Sequence, residues 1–367
     1  VSFLFPTPAQ FLGPELSCAV PTRLVNTLTP TKGISGATGA GARPSAAAAK
    51  GSAKGVSSVS YFPQSGHLLL TSSLDGSVKV WDTGASSFFG DSGSADGAGS
   101  ASAAAGATRA RTLREYNGHG AGVRRAVWSP DGRAIMTISH DKTVKIWDTE
   151  TGAVVSRLRH ERMTPVCGAF HPTLPGELLT GMHERAILQW DTRANVVAQR
   201  YPDHQAAVDT VTFLGADDDR FVSTGDDKKV LLWDYGVPVV LKEIFETELH
   251  AMPSVALHPS GNYLVGNAQN NQIAIFALQP KIKLNRKRHF SGHLSAGFAC
   301  GLTFSPDGST LCAGDAEGRL FFWDWRSGKL VKKLKAHEDV AIDVAWHPNA
   351  PRALASCSWD GSVKLWG

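Results

Sequence analysis

The stretch Asp141–Gly152, DKTVKIWDTETG, decides the fold. Val144 and Ile146 alternate with Thr143 and Lys145 in the two-residue period of a strand, and a Thr-Gly turn closes the segment. Near-copies start at Asp75 (DGSVKVWDTG), Asp226 (DDKKVLLWDYG) and Asp360 (DGSVKLWG). A chain that writes the same strand again and again is built from repeats, so the period has to be established before any motif is weighed.

The anchoring aromatics are Trp81, Trp147, Trp190, Trp233, Phe276, Trp323 and Trp366, spaced by 66, 43, 43, 43, 47 and 43 residues. A histidine (His119, His160, His204, His250, His293 or His337) precedes each of the last six by 26 to 30 residues. A His-to-Trp-Asp unit of about 40–45 residues is the mark of the WD40 repeat, each unit one four-stranded propeller blade. In the second unit the strands read VRRAVWS (from Val123), AIMTIS, TVKIWD and AVVSRLR, with turns such as SPDG at Ser129 and Ser305 and HPSG at His258. The expected fold is all-β, a seven-bladed WD40 propeller.

Resemblance to that repeat implies a role for the recurring residues. In each complete blade an Asp, a His, a hydroxyl and the indole N–H form a buried hydrogen-bond chain, and a fully satisfied chain specifies one geometry. The expected sets are His119, Ser139, Asp141 and Trp147 in the second unit, and His337, Ser358, Asp360 and Trp366 in the seventh. The fifth unit, with Asn270 and Phe276, and the sixth, with Glu317, are degraded and should rest on apolar packing.

A propeller must join its last blade to its first, or two sheet edges stay exposed. The sequence reaches Gly367 directly after a third strand, so the outer strand of the last blade is expected from RLVNTL, Arg23–Leu28. Residues 1–22 are read as an irregular arm and 23–367 as the propeller. Two Gly/Ala/Ser-rich insertions, about 34–54 and 84–108, interrupt the period and are expected to be flexible loops.

Composition narrows the classes. The net charge of +4 does not by itself demand nucleic acid, and no run approaches the roughly 18–20 apolar residues of a spanning helix. Five scattered cysteines without a CxxC pair favour a reducing compartment. The chain opens on Val1 without a signal-peptide pattern and is read as a piece of a longer protein. Thirteen histidines beside many carboxylates suggest catalysis at first sight, yet no HExxH, P-loop or GxSxG pattern occurs. The expectation is therefore no enzyme, no metal, no cofactor and no small-molecule substrate.

Two surface features are candidates for binding. The residue before each turn acid lies at the top face, and His140, His183 and Trp359 are the candidate contacts there. KIKLNRKR (Lys281–Arg288) places five cations in eight residues, and Lys281, Lys283, Arg286, Lys287 and Arg288 are the candidate RNA or partner contacts. The competing reading of this run is a charged edge strand that resists sheet-to-sheet association.

A more specific likeness runs through YGVPVVLKEIFETELHAMPSVALHPSGNYLVGNAQNNQIAIF (from Tyr235) and KLNRKRHFSGHLSAGFAC (from Lys283). Together with RFVSTGDDK, GDAEGRLFFWDW and KAHEDVAIDVAWHP, these segments resemble the pre-mRNA-processing factor seventeen family of WD40 splicing factors. The likeness covers Arg23 to Trp366 and is weakest where TPTKG stands in place of GHTKG. It implies a nuclear, non-catalytic scaffold of the spliceosome around exon ligation. The implied partners are the large central spliceosomal protein, other splicing factors, and small nuclear RNA or pre-mRNA. It also implies that Lys283, Asn285, Lys287 and Arg288 fall on the family's basic segment. The alternative is another WD40 adaptor, a ubiquitin-ligase substrate receptor or a ribosome-assembly factor.

Overall fold

The structure is a computed structural model describing residues 20–28, 55–83, 111–160, 162–215, 219–279 and 281–367. Nearly all of the N-terminal arm, the TPTKG segment and both Gly/Ala/Ser-rich insertions lie outside the described residues. Among the described residues there are 29 strands, and no helix is long and apolar enough to cross a membrane.

The strands form seven antiparallel sheets. In the second blade they are Val123–Trp128, Ala134–Ser139, Thr143–Asp148 and Val154–Arg159, from inner to outer. Both middle strands are buried on both faces, because each sheet is sandwiched between its neighbours. Only the outer strand alternates buried with exposed. The innermost strands contact one another from blade to blade, and Val56–Tyr61 of the first meets Ala341–Trp346 of the last, so the ring is closed. The apolar core is accordingly divided into seven clusters, one at each blade-to-blade junction. The signature aromatics sit in these clusters, from Trp233 at 0% exposure to Trp81 at 5%.

The conserved-looking turn letters have backbone causes. Between second and third strands every blade places one residue at positive φ: Gly76, Lys142, Arg185, Lys228, Asn271, Gly318 and Gly361. Glycine adopts that conformation without a Cβ penalty, which is why DG recurs, and the remaining blades tolerate a side chain there. The Asp of the Trp-Asp pair serves the next turn: Asp148 Oδ1 accepts the Thr151 N–H at 2.6 Å and the Thr151 hydroxyl at 2.8 Å. This local cap holds the Asp148 carboxyl below its usual range.

Leu24–Leu28 pairs antiparallel with Val363–Trp366 as the outer strand of the seventh blade. The N–H groups of Thr22 and Arg23 donate to the Gly367 carbonyl at 3.2 and 3.0 Å, and Gly367 N–H donates back to Arg23 at 2.9 Å. The third strand of that blade is thereby no longer an edge. The fifth blade departs from the pattern. Its outer strand is only Lys283–Leu284, and Phe290–Ser291 pairs farther along the same third strand, Gln272–Ala277. The basic run occupies this broken edge.

Candidate functional site

The histidine struts exist, with one correction to the hydroxyl. His119 Nδ1–H donates to Asp141 Oδ2 at 2.8 Å, while His119 Nε2 meets Thr137 Oγ1 at 2.7 Å and Trp147 Nε1–H donates to the same hydroxyl at 2.8 Å. Thr137, not Ser139, is the relay. Ser139 lies two residues on and instead accepts the Asp141 N–H and donates to the Gly122 carbonyl. The seventh blade repeats this. Ser356 joins His337 Nε2 (2.7 Å) to Trp366 (2.9 Å), whereas Ser358 accepts the Asp360 N–H. Here His337 Nδ1 bonds the Ser362 hydroxyl at 2.9 Å, with Asp360 at 3.4 Å. The fourth blade also carries a complete set in His204, Asp227, Ser223 and Trp233.

The electrostatics fit neutral imidazoles. Burial lowers the His119 and His337 pKa, against the opposing pull of Asp141 and Asp360. Burial raises the Asp141 carboxyl, but hydrogen bonds from Thr143, His119 and Gly120 outweigh it and hold it below the ordinary carboxylate range. Not every recurring histidine is such a strut. Among the described residues His250 bonds only the nearby Glu248 carbonyl, and the buried His160 Nδ1 has no partner. His293 reaches back to Asn267 of the fifth blade at 2.8 Å, and Trp323 donates to the Ser291 carbonyl at 3.2 Å. Position 313, where the sixth blade would need a hydroxyl, is Ala.

A second class of histidine caps the inner strands. His171 and His347 each accept two backbone N–H groups on Nδ1, from Thr173 and Leu174 and from Asn349 and Ala350, and His258 accepts one from Ser260. Ser129 and Ser305 do the same work in the SPDG blades through Ala134 and Thr310. Among the described residues no group of three or more His, Cys, Asp or Glu side chains is placed to hold a metal.

The top face converges on a cavity of about 630 Å³ at the mouth of the central channel. Six of the seven positions before the turn acid line it: Leu74, His140, His183, Asp226, Gln269 and Trp359. Trp359 is 38% exposed and meets Phe298 of the neighbouring blade edge-on at 5.6 Å, so it both packs and faces outward. Sequence reasoning missed a second contributor. Five inner strands carry a bulge near their start, and the bulged residues Ser57, Arg124, Val166, Asp209 and Ile342 all line the same mouth. An extra residue in one strand re-aims its side chain, and the only sequence trace is a charge, Arg124 or Asp209, one place into a buried inner strand.

The five candidate cations are not equivalent. Lys281, Lys283 and Lys287 are exposed, and among the described residues none has an acidic partner within the 4.0 Å of a salt bridge. Arg286 pairs with Glu246 across the groove between the fourth and fifth blades. Arg288 is half-buried, its guanidinium 4.8 Å above the Trp325 ring and 5.6 Å from Phe290. Two of the five thus serve the fold, and the three lysines remain as candidate contacts.

Five segments of the chain, residues 47–82, 110–148, 196–234, 284–324 and 328–367, match the WD domain, G-beta repeat family. The ring geometry and these matches together define a WD40-repeat propeller. The chain is 39% identical over 318 residues to pre-mRNA-processing factor 17 of Mus musculus and of Homo sapiens, matching 86% of this chain and 51% of each relative. It is 33% identical over 319 residues to pre-mRNA-processing factor 17 of Saccharomyces cerevisiae, 86% of this chain and 65% of that protein. The chain belongs to the pre-mRNA-processing factor 17 family, and it spans about half the length of its mouse and human relatives.

Proposed function

We propose that this propeller is a non-catalytic scaffold in pre-mRNA splicing, a nuclear component of the spliceosome acting around exon ligation. The observation that carries the reading is the 39% identity over 86% of the chain to proteins named pre-mRNA-processing factor 17. The physical form suits it. A ring whose blades are locked by buried struts presents several surfaces at constant spacing, so docked partners lose little further conformational freedom. Its best-braced histidines are engaged on both ring nitrogens, which removes them as bases. On this reading the large central spliceosomal protein and other splicing factors dock on the ring. Lys281, Lys283 and Lys287 contact small nuclear RNA or pre-mRNA at the broken edge of the fifth blade.

Purification from nuclear extract followed by sequencing of bound RNA tests the proposal. Enrichment of spliceosomal small nuclear RNA is expected. Recovery of pre-ribosomal RNA, or of a cullin adaptor without splicing components, would favour the adaptor reading instead. Replacing Lys281, Lys283 and Lys287 together by Glu should weaken RNA association in a salt-dependent manner while the ring stays folded. RNA recovery unchanged from about 50 to 200 mM salt would remove these lysines from the interface.

A further inference from the structure

The channel mouth holds an electrostatic imbalance that the scaffold reading does not use. Asp209 is presented by the bulge in the inner strand Val208–Phe213, and Asp226 stands before the turn of the same blade; both line the cavity. Among the described residues neither carboxylate has a basic side chain within the 4.0 Å of a salt bridge. One Asp209 oxygen, Oδ2, is buried with no hydrogen-bond partner. Two blades away, Arg124 is exposed to water, and Arg125 lies where its charge acts on Asp343, whose two oxygens already accept the Val59 and Val344 N–H groups. Arg125 is matched by Asp343, Arg124 acts on Asp209 without a salt bridge, and Asp226 is itself exposed. What stays unsatisfied is the half-buried Asp209, whose Oδ2 has no donor and on which the like charge of Asp226 acts, an unfavourable arrangement.

We propose that the channel mouth captures a basic side chain, arginine or lysine, from an extended segment of a partner protein, held between the carboxylates of Asp209 and Asp226. A divalent metal fits less well, because no third acid or histidine completes a ligand set there. A guanidinium can donate to two carboxylates at once, which favours arginine over lysine. Gln269 supplies an amide on the next blade, and Trp359 stands on the opposite rim as an exposed aromatic surface for the peptide backbone or a flanking residue.

The protonation of Asp209 offers a readout that packing alone does not. Burial, with Asp226 and Asp227 adding to it against Arg124, raises this carboxyl to about 7. A basic side chain placed against it favours the ionised form, so binding near pH 7 should release a proton. The probes are blocked pentapeptides, Gly-Gly-X-Gly-Gly with X as Arg, Lys or Glu, titrated calorimetrically into the full chain in phosphate and in Tris at pH 7. The Arg peptide should bind, the Glu peptide should not, and the apparent enthalpy should differ between buffers. Asp209→Asn should weaken binding at least tenfold and abolish the buffer dependence, while its melting temperature stays equal to or above that of the parent. Asp226→Asn, a second variant, should also weaken binding. Preference for the Glu peptide, a response to magnesium or calcium alone, unchanged affinity in Asp209→Asn, or no binding of any peptide at millimolar concentration would each overturn the assignment.

Discussion

Replacing Thr137 by Val tests whether the blade struts are built as the structure draws them. Valine keeps the β-branched shape and removes the one hydroxyl that joins His119 Nε2, at 2.7 Å, to Trp147 Nε1, at 2.8 Å. Thr137 is 0% exposed, so water cannot take its place without opening the blade junction. Two buried polar groups lose their partner at once, and each unsatisfied group costs about 1–3 kcal/mol, for an expected loss of about 2–6 kcal/mol. Ser139→Ala is the informative control, because the repeat pattern alone would choose Ser139. That change removes a turn contact to the Asp141 N–H and the Gly122 carbonyl, worth about 1 kcal/mol. Urea melts of both variants, with amide exchange followed in the second blade, give the comparison. Trp147→Phe in the Thr137→Val background should cost less than in the parent, since the indole N–H has already lost its acceptor. Thr137→Val as stable as the parent, or no worse than Ser139→Ala, would refute the relay.

Acid should loosen the ring well above the carboxylate range. Burial drives His293 and His347 down to about 4, so between pH 4 and the ordinary histidine value near 6.5 the unfolded chain binds more protons than the folded one. The stabilisation is complete above about pH 6.5 and is lost as pH falls, with an upper limit on the order of 3 kcal/mol for each histidine. Urea midpoints at pH 7, 5.5 and 4.5 should fall, and His347→Asn should flatten the trend; parallel slopes in parent and variant would count against it. Arg288→Ala should lower stability by about 1–2 kcal/mol by removing the guanidinium from Trp325, whereas the triple Lys281, Lys283 and Lys287 replacement should stay within about 0.5 kcal/mol, and the reverse order in thermal melts would contradict the division of roles. A chain lacking residues 1–28 should melt lower and self-associate on gel filtration, because Val363–Trp366 becomes an open edge; an equally stable monomer would show that closure there is dispensable.

The WD domain, G-beta repeat family matches five segments, yet the ring has seven blades. The third and fifth blades have the weakest signatures, one with Glu184 at the turn and no histidine strut among the described residues, the other with Asn270 and Phe276. Both still fold as blades because each is packed between two neighbours, and Trp190 and Phe276 stay 4% and 1% exposed in their junctions. The aromatic spacing located them because burial at a junction needs only a large apolar group at the right interval, not the full polar set. The longer spacing of 47 residues before Trp323 corresponds to the broken outer edge of the fifth blade.

From the sequence alone came the strand period, the number of blades, the closing strand at Leu24–Leu28 and the run of cations, all of which depend on neighbours along the chain or on a constant repeat length. The relay hydroxyl did not, because Thr137 and Ser139 stand two residues apart on one strand and share a face; only the reach of His119 and Trp147 chooses between them. The division of the basic run did not either, since Arg286 and Arg288 are committed by Glu246 and Trp325, about 40 residues away on either side. The channel mouth was least legible of all. Asp209 and Arg124 come from separate blades and face one cavity only because strand bulges turn them inward and the closed ring gathers the blades round one channel.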